Sequence, residues 1–361
     1  MTNPAPLPNG PQQAATLGDR ATAEAWAFCY RVLPGVSRTF ALTIPVLERP
    51  LGDAVCVAYL LCRIADTIED RNDLELEARR ALYRRFAAMV AAPERALAEQ
   101  QVGAFLAQWP VDATPAYQAL VEGLAQVLAA YGSLPLPQRA AIDGCVQEMV
   151  GGMSAMTHPE PEDGTVWVCA DLPELERYCH YVAGTVGLML TRLFDDVLGG
   201  GFVSPARLEE GRRFGLGLQL TNIVKDQAAD GARGTSFVPR EWLGRRGGLL
   251  PGHLAALLRR TLEHLDVAQG YTLALPPQRS DLRLFCLWAL WMAVSTVREV
   301  ARRSSPAPKI SRAEVAEIIA FTRAHATDDE TLNRRYARLR EQACGAVDML
   351  VSTTGGAWPT A

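Results

Sequence analysis

From about residue 21 to residue 351 the chain alternates long runs of helix-forming residues with breaks only a few residues long, and no convincing run of strands interrupts them. Segments such as 74–91 (LELEARRALYRRFAAMVA) and 313–326 are dominated by strong helix formers. The breaks carry turn residues: Asn72-Asp73, the stretch from Gly132 to Pro135, Pro159-Glu160-Pro161 and Pro276-Pro277. Neither 199–201 (GGG) nor Gly247-Gly248 is long enough to be a domain linker, and no repeat of fixed period stands out. The expectation is an all-α chain: one large helical domain over 21–351, a mobile leader over 1–20 and a frayed tail over 352–361.

With 49% hydrophobic residues in 361, the chain has ample material for a core. A formal charge of -4 shows no basic excess, so nucleic acid is not an expected partner. Eight cysteines are scattered without a CxxC pair or a metal-like grouping with histidine, which suits reduced, buried thiols. The first residues, MTNPAPLPNGPQQAAT, have neither a cationic start nor an apolar core and do not resemble a signal peptide, so a cytoplasmic protein is expected. The longest apolar stretches, 54–65 and 284–297, fall short of the roughly 20 residues that span a bilayer. Core helices are the simpler account of them, with membrane-surface contact as the alternative and no transmembrane anchor expected.

Two of the helical segments become polar along one stripe. In 51–70 (LGDAVCVAYLLCRIADTIED), Tyr59, Arg63, Asp66 and Asp70 are spaced by four, three and four, which puts them on one face with Glu69 beside them. Three carboxylates in the last turn of a helix oppose its dipole and one another, so a cation should compensate. In 214–230 (FGLGLQLTNIVKDQAAD), Gln219, Asn222, Asp226 and Asp230 again follow helical spacing, at three, four and four. One such stripe alone is more simply a solvated helix face; two, with neutral amides on the same side, favour a shared pocket. Carboxylate oxygens are hard ligands, and facing stripes suit divalent cations that bind a diphosphate. Arg38, Arg63, Lys225, Arg233, Lys309 and Arg312 are candidate cationic helpers.

At these residues the chain resembles the squalene and phytoene synthase family. SRTF at 37–40, DTIED at 66–70, YCHYVAGTVG at 178–187 and LQLTNIVKD at 218–226 stand in the family's order and approximate spacing, over about 36–319. AVCVAYLLCRIADTIED and YCHYVAG are more similar to squalene synthases, whereas GTVGLM and the loop before Phe237 are more similar to phytoene synthases. Chain length and PKISRAE at 308–314 lean towards the squalene type.

The resemblance implies an isoprenoid-synthase helical fold with a central cavity and both acidic motifs at its mouth. It also implies Mg²⁺-dependent, head-to-head condensation of two farnesyl diphosphates through presqualene diphosphate, then reduction to squalene with NADPH. Phytoene synthases instead join two geranylgeranyl diphosphates without hydride. Matching positions make Asp66, Glu69, Asp70, Asp226 and Asp230 the expected Mg²⁺ ligands. Ser37, Arg38, Arg63, Gln219, Asn222, Lys225 and Arg233 are the expected diphosphate contacts. Tyr178 corresponds to a tyrosine that assists proton removal, with Tyr59 as a second pocket hydroxyl, and Phe40 and Phe285 to aromatics facing a carbocation. Lys309 and Arg312 are the expected NADPH contacts; no dinucleotide fingerprint after a strand is present.

The chain departs from the family pattern in three places. Ala229 replaces an acidic residue, Thr235 stands where phytoene synthases usually have arginine, and Ser311 stands where eukaryotic squalene synthases tend to have one. The rivals are a phytoene, presqualene or dehydrosqualene synthase, and a non-catalytic helical protein that binds lipids or a partner. An extremely apolar product would make peripheral membrane contact natural. Oligomeric state is not legible.

Overall fold

A computed structural model describes residues 17–71, 73–109, 114–156, 164–245, 247–302 and 308–354. Among them are sixteen α-helices, the first eight being α1 (Leu17–Val36), α2 (Arg38–Thr43), α3 (Leu51–Glu69), α4 (Leu76–Ala91), α5 (Pro93–Ala98), α6 (Gln101–Leu106), α7 (Pro115–Glu122) and α8 (Leu124–Gly132). The others are α9 (Leu136–Ala155), α10 (Leu172–Cys179), α11 (Thr185–Leu198), α12 (Pro205–Ala232), α13 (Pro251–Leu273), α14 (Ser280–Arg302), α15 (Arg312–His325) and α16 (Asp329–Thr354). The chain is all-α, as its periodicity predicts. The Gly132 to Pro135 break separates α8 from α9, and Pro276-Pro277 separates α13 from α14. Helix α1 begins ahead of residue 21, at Leu17. Asn72, the 159–161 break, leader residues 1–16 and tail residues 355–361 lie outside the described residues.

The helix starts follow local chemistry. Ser204 caps α12, its hydroxyl accepting the Arg207 N–H at 3.1 Å, and Pro205 fills the first position, where no N–H is needed. Asp171 caps α10 the same way, accepting from Glu174 N–H at 2.8 Å. Between α10 and α11 the chain makes a π-helical turn, His180–Gly184, a form that often marks functional positions inside helices.

Two helices carry the core. Helix α3 buries nearly its whole apolar circumference against α1, α8 and α9. Helix α14 packs on α12, α13, α15 and α16. Its buried Trp288 and Trp291 donate their indole N–H groups to Thr322 Oγ1 at 2.8 Å and Gln269 Oε1 at 3.2 Å. The apolar stretch 284–297 therefore lies in a 23-residue helix that is, by length and composition, long and apolar enough to cross a membrane. That exceeds the expectation from the stretch alone. Within the fold, 78% of its most apolar window is buried, as befits a core helix. All eight cysteines are free thiols and seven are buried.

Sequence periodicity misses one element. β1 (Val166–Trp167) and β2 (Thr235–Ser236) form a two-residue parallel pair, Val166 opposite Thr235, which ties the segment before α10 to the end of α12. Two residues are too few to show alternation.

Candidate active site

Helices α2, α3, α11, α12, α13 and α14 enclose a mostly apolar cavity whose empty space, open mouth included, is about 1100 Å³. α3 lines it through Val55, Tyr59, Cys62, Arg63 and Asp66, and α12 through Gly211, Phe214, Gly215, Leu218, Gln219 and Asn222. Both sets recur at helical spacing, so the cavity runs along both helices, and both become polar at their C-terminal ends. The two stripes thus share one mouth. Close approach of α11 to α12 makes the third wall. A Cβ on Gly187 would stand 1.9 Å from the Gly211 carbonyl oxygen, and one on Gly215 would stand 2.1 Å from that of Ala183.

At the mouth, Arg63 lies 3.2 Å from Asp66 and donates to the Tyr59 hydroxyl at 3.2 and 3.3 Å. Tyr59 in turn donates to the Val36 carbonyl at 3.1 Å, so guanidinium and phenol hold each other in place. Asp66 is pushed up to about 6 by burial and by Asp70, although Arg63 opposes this. Glu69 is pushed up to about 8, first by burial and then by Asp66 and Asp70. Across the mouth, burial raises Asp230 to about 6, with Asp226 and Asp70 contributing in the same direction against Arg233. Asp70 is thus near enough to Asp230 to act on its charge, and of the five expected carboxylates Asp66 lines the cavity itself.

Tyr178 is 2% exposed and does not line the cavity. It stacks on Phe237 at 4.9 Å and donates to Glu69 Oε2 at 2.9 Å. Because Phe237 directly follows β2, and β2 follows the end of α12, this contact joins the support of Glu69 to the segment that leaves the second stripe. Arg79, buried on α4, donates to the Glu69 carbonyl at 3.3 Å and completes the support behind it. Neither Phe237 nor Arg79 is marked by sequence pattern; the contacts of Glu69 with Tyr178 and Arg79 cross between helices.

Of the other expected site residues, Phe40 and Phe285 line the cavity, and Phe40 sits 4.8 Å from the Tyr59 ring. On α12, Lys225 lies 3.1 Å from Asp226 and donates to Asn222 Oδ1 at 3.3 Å, and Arg233 lies 2.5 Å from Asp230. Ser37 is the N-cap of α2, accepting from Phe40 N–H at 3.0 Å, while Arg38 is exposed and outside the lining. Lys309 and Arg312 are exposed near the start of α15, and neither lines the cavity. Ser311 caps that helix, accepting from Glu314 N–H at 3.1 Å, which gives the serine a local reason where a cation was the family expectation.

The donor set fits Mg²⁺. Among the described residues, no three His, Cys, Asp or Glu side chains form a ready-made cluster. Mg²⁺ is ordinarily held by one or two carboxylates, waters and substrate phosphate rather than by an all-protein cage. Half-buried carboxylates that raise one another's pKa are short of positive charge, and a hard divalent cation corrects that.

The model of the squalene/phytoene synthase family matches residues 33–318. The chain belongs to the squalene/phytoene synthase family. It is 32% identical to squalene synthase 8 of Panax ginseng over 206 residues, 57% of this chain and 46% of that protein. It is 31% identical to squalene synthase 1 of Arabidopsis thaliana over 224 residues, 61% and 49%. With squalene synthase of Rattus norvegicus it shares 29% over 220 residues, 60% and 47%. The match spans about half the length of these curated relatives. In fold it resembles a ligand complex of TcSQS (TM-score 0.69, 24% identity, covering 92% of this chain and 97% of that one). It also resembles a ligand-bound dehydrosqualene synthase (TM-score 0.57, 19% identity, covering 85% and 98%). The architecture is the isoprenoid-synthase helical fold.

Proposed function

We propose that the protein joins two farnesyl diphosphates head to head through presqualene diphosphate, with Mg²⁺, and that with NADPH the product is squalene. The observation that carries this reading is the pairing of two acidic stripes at the polar end of an otherwise apolar cavity. Such a cavity takes hydrocarbon tails and leaves their charged heads at the mouth.

Asp66, Glu69, Asp70, Asp226 and Asp230 are the residues to hold Mg²⁺. Bound there, the ion supplies charge neutralisation that turns the diphosphate into a better leaving group. On this reading Arg63 and Lys225, with the amides of Gln219 and Asn222, bind diphosphate oxygens, and Arg233 contributes from the end of the second stripe. Tyr178 holds Glu69 in position. Below the mouth, Phe40, Tyr59 and Phe285 offer ring faces that stabilise an allylic cation without adding to it, while the apolar walls exclude water.

A second reading has the reaction stop at presqualene diphosphate or end at dehydrosqualene. The cap role of Ser311 favours it, since Lys309 and Arg312 do not line the cavity and no hydride step is assigned to them. Purified protein incubated with farnesyl or geranylgeranyl diphosphate and Mg²⁺, with and without NADPH, tests both. Squalene formed only with NADPH is the expected result. Phytoene from the longer substrate defeats the proposal, and dehydrosqualene regardless of NADPH establishes the second reading.

A further inference from the structure

The depth of the cavity is legible on two helices independently. α3 lines it from Val55 to Asp66 and α12 from Gly211 to Asn222, each stretch spanning eleven residue steps. At about 1.5 Å per residue, both give about 16 Å from the polar mouth to the deep end. A zigzag carbon chain with bonds of about 1.52 Å and angles of about 111° advances about 1.25 Å per bond. A farnesyl tail, measured along its main chain, therefore extends about 14 Å and a geranylgeranyl tail about 19 Å. The first fits between mouth and floor, and the second does not.

The floor is built at that depth. Gly187 lies against Gly211 and Ala183 against Gly215, so α11 runs antiparallel to α12 and brings its later residues to the deep end. Phe214 meets Tyr271 edge-on at 6.1 Å, whereas Gly217, nearer the mouth, faces Leu265, so α13 also deepens towards Tyr271. Tyr271 is 2% exposed and lies 3.0 Å from Thr191 Oγ1. The Thr191 hydroxyl donates to the Gly187 carbonyl at 2.8 Å, so the proton in the Tyr271 contact is the phenol's. Outside the ring, Phe202 meets it edge-on at 5.6 Å and the Arg207 guanidinium lies 6.0 Å from its centroid. The ring is pinned at its hydroxyl and backed by Phe202 and Arg207.

We infer that Tyr271, fixed through Thr191 and backed by Phe202, is the chain-length stop that admits a fifteen-carbon prenyl diphosphate and rejects a twenty-carbon one. This rests on the reading of the mouth as a prenyl-diphosphate site. Calorimetric titration of the Mg²⁺-supplemented protein with unreactive thiodiphosphate analogues bearing farnesyl or geranylgeranyl tails tests it without turnover. The fifteen-carbon analogue should bind at least about tenfold tighter to the wild type, the scale on which apolar pockets discriminate chain length. Tyr271→Ala should bring the two affinities together, while Tyr271→Phe, which keeps the ring, should preserve the preference. Phe194→Ala is a second way to open the same floor should Tyr271→Ala fail to fold, because Phe194 lines the cavity beside Phe285. Equal affinities in the wild type, or an unchanged preference in a folded variant with an opened floor, overturn the inference and leave the prenyl-diphosphate reading standing. Binding of neither analogue removes both.

Discussion

The carboxylates at the mouth and those on the outer faces of the bundle are the same residue types with opposite acidities. On the outside, Glu176 is held down at about 2 by the imidazole of His264 and by Arg260. The Arg260 contact is 2.6 Å and that of His264 Nε2 is 3.7 Å, so the guanidinium is the true hydrogen-bond partner. Glu209 is likewise lowered by paired bonds of 2.7 Å from Arg212. At the mouth, Asp66, Glu69 and Asp230 all rise, even though Arg63 and Arg233 stand beside two of them. Glu176 and Glu209 each have a closely bonded arginine; the carboxylates at the mouth are partly desolvated and crowded by each other, and the arginines beside them do not offset this. On the proposed reading, that deficit is what a divalent ion at the mouth offsets.

The strongest way to break the contrast is to remove the deficit. Asp66→Asn combined with Asp226→Asn takes one carboxylate from each stripe at nearly constant shape. Product formation should fall by about three orders of magnitude, the scale of losing electrostatic stabilisation of a leaving group. The melting temperature without metal should hold or rise, since like-charge crowding is relieved. Mg²⁺ at about a hundred times its dissociation constant should stabilise the wild type by about 2.7 kcal/mol and the double variant hardly at all. Unchanged turnover would sink the metal site.

The helices and both stripes were legible because they are local patterns, repeating every three or four residues. The family motifs added order and spacing. What was not legible is set by contacts distant in sequence. Tyr178 reaches Glu69 across 109 positions, and Tyr271 reaches Thr191 across 80. The pairing of β1 with β2 is too short to print a period. Tyr271 and Phe194 sit in apolar helices where any large residue suits the core, so nothing in the pattern distinguishes a cavity floor from ordinary packing. Conversely, Lys309 and Arg312 were singled out by resemblance, and the structure leaves them exposed and off the cavity wall.

A smaller effect sharpens the comparison through pH. Glu69 has a folded-state pKa of about 8 against an ordinary 4.5, so the folded protein binds the extra proton between those values. Its stability contribution is present below 4.5 and is lost as pH rises through 8. Glu176 works the other way: its contribution is present above 4.5 and is lost as pH falls through about 2. Without Mg²⁺, the wild type should therefore lose melting temperature relative to Glu69→Gln by a few degrees as pH rises from 5 to 8, as followed by calorimetry. Relative to Glu176→Gln it should show no trend in that window above pH 5. A wild-type curve parallel to that of Glu69→Gln would mean that the mouth is not short of positive charge.

The smallest expected effect separates holding a carboxylate from acting on substrate. Tyr178→Phe keeps the stack on Phe237 and removes only the hydrogen bond to Glu69. The cost in stability should be about 1 kcal/mol below about pH 8, where Glu69 carries its proton, and about 1.5 to 3 kcal/mol above it, where the bond is to an ionised group. Since that bond favours ionised Glu69, its loss should raise the Glu69 pKa further, weaken Mg²⁺ binding and move the pH optimum upward, with the rate recovered at high Mg²⁺. A phenol that itself carried a proton away from substrate would give a loss that Mg²⁺ does not rescue. Rescue makes Tyr178 a positioning residue, tied through Phe237 to the far stripe; failure of rescue makes it a catalytic one.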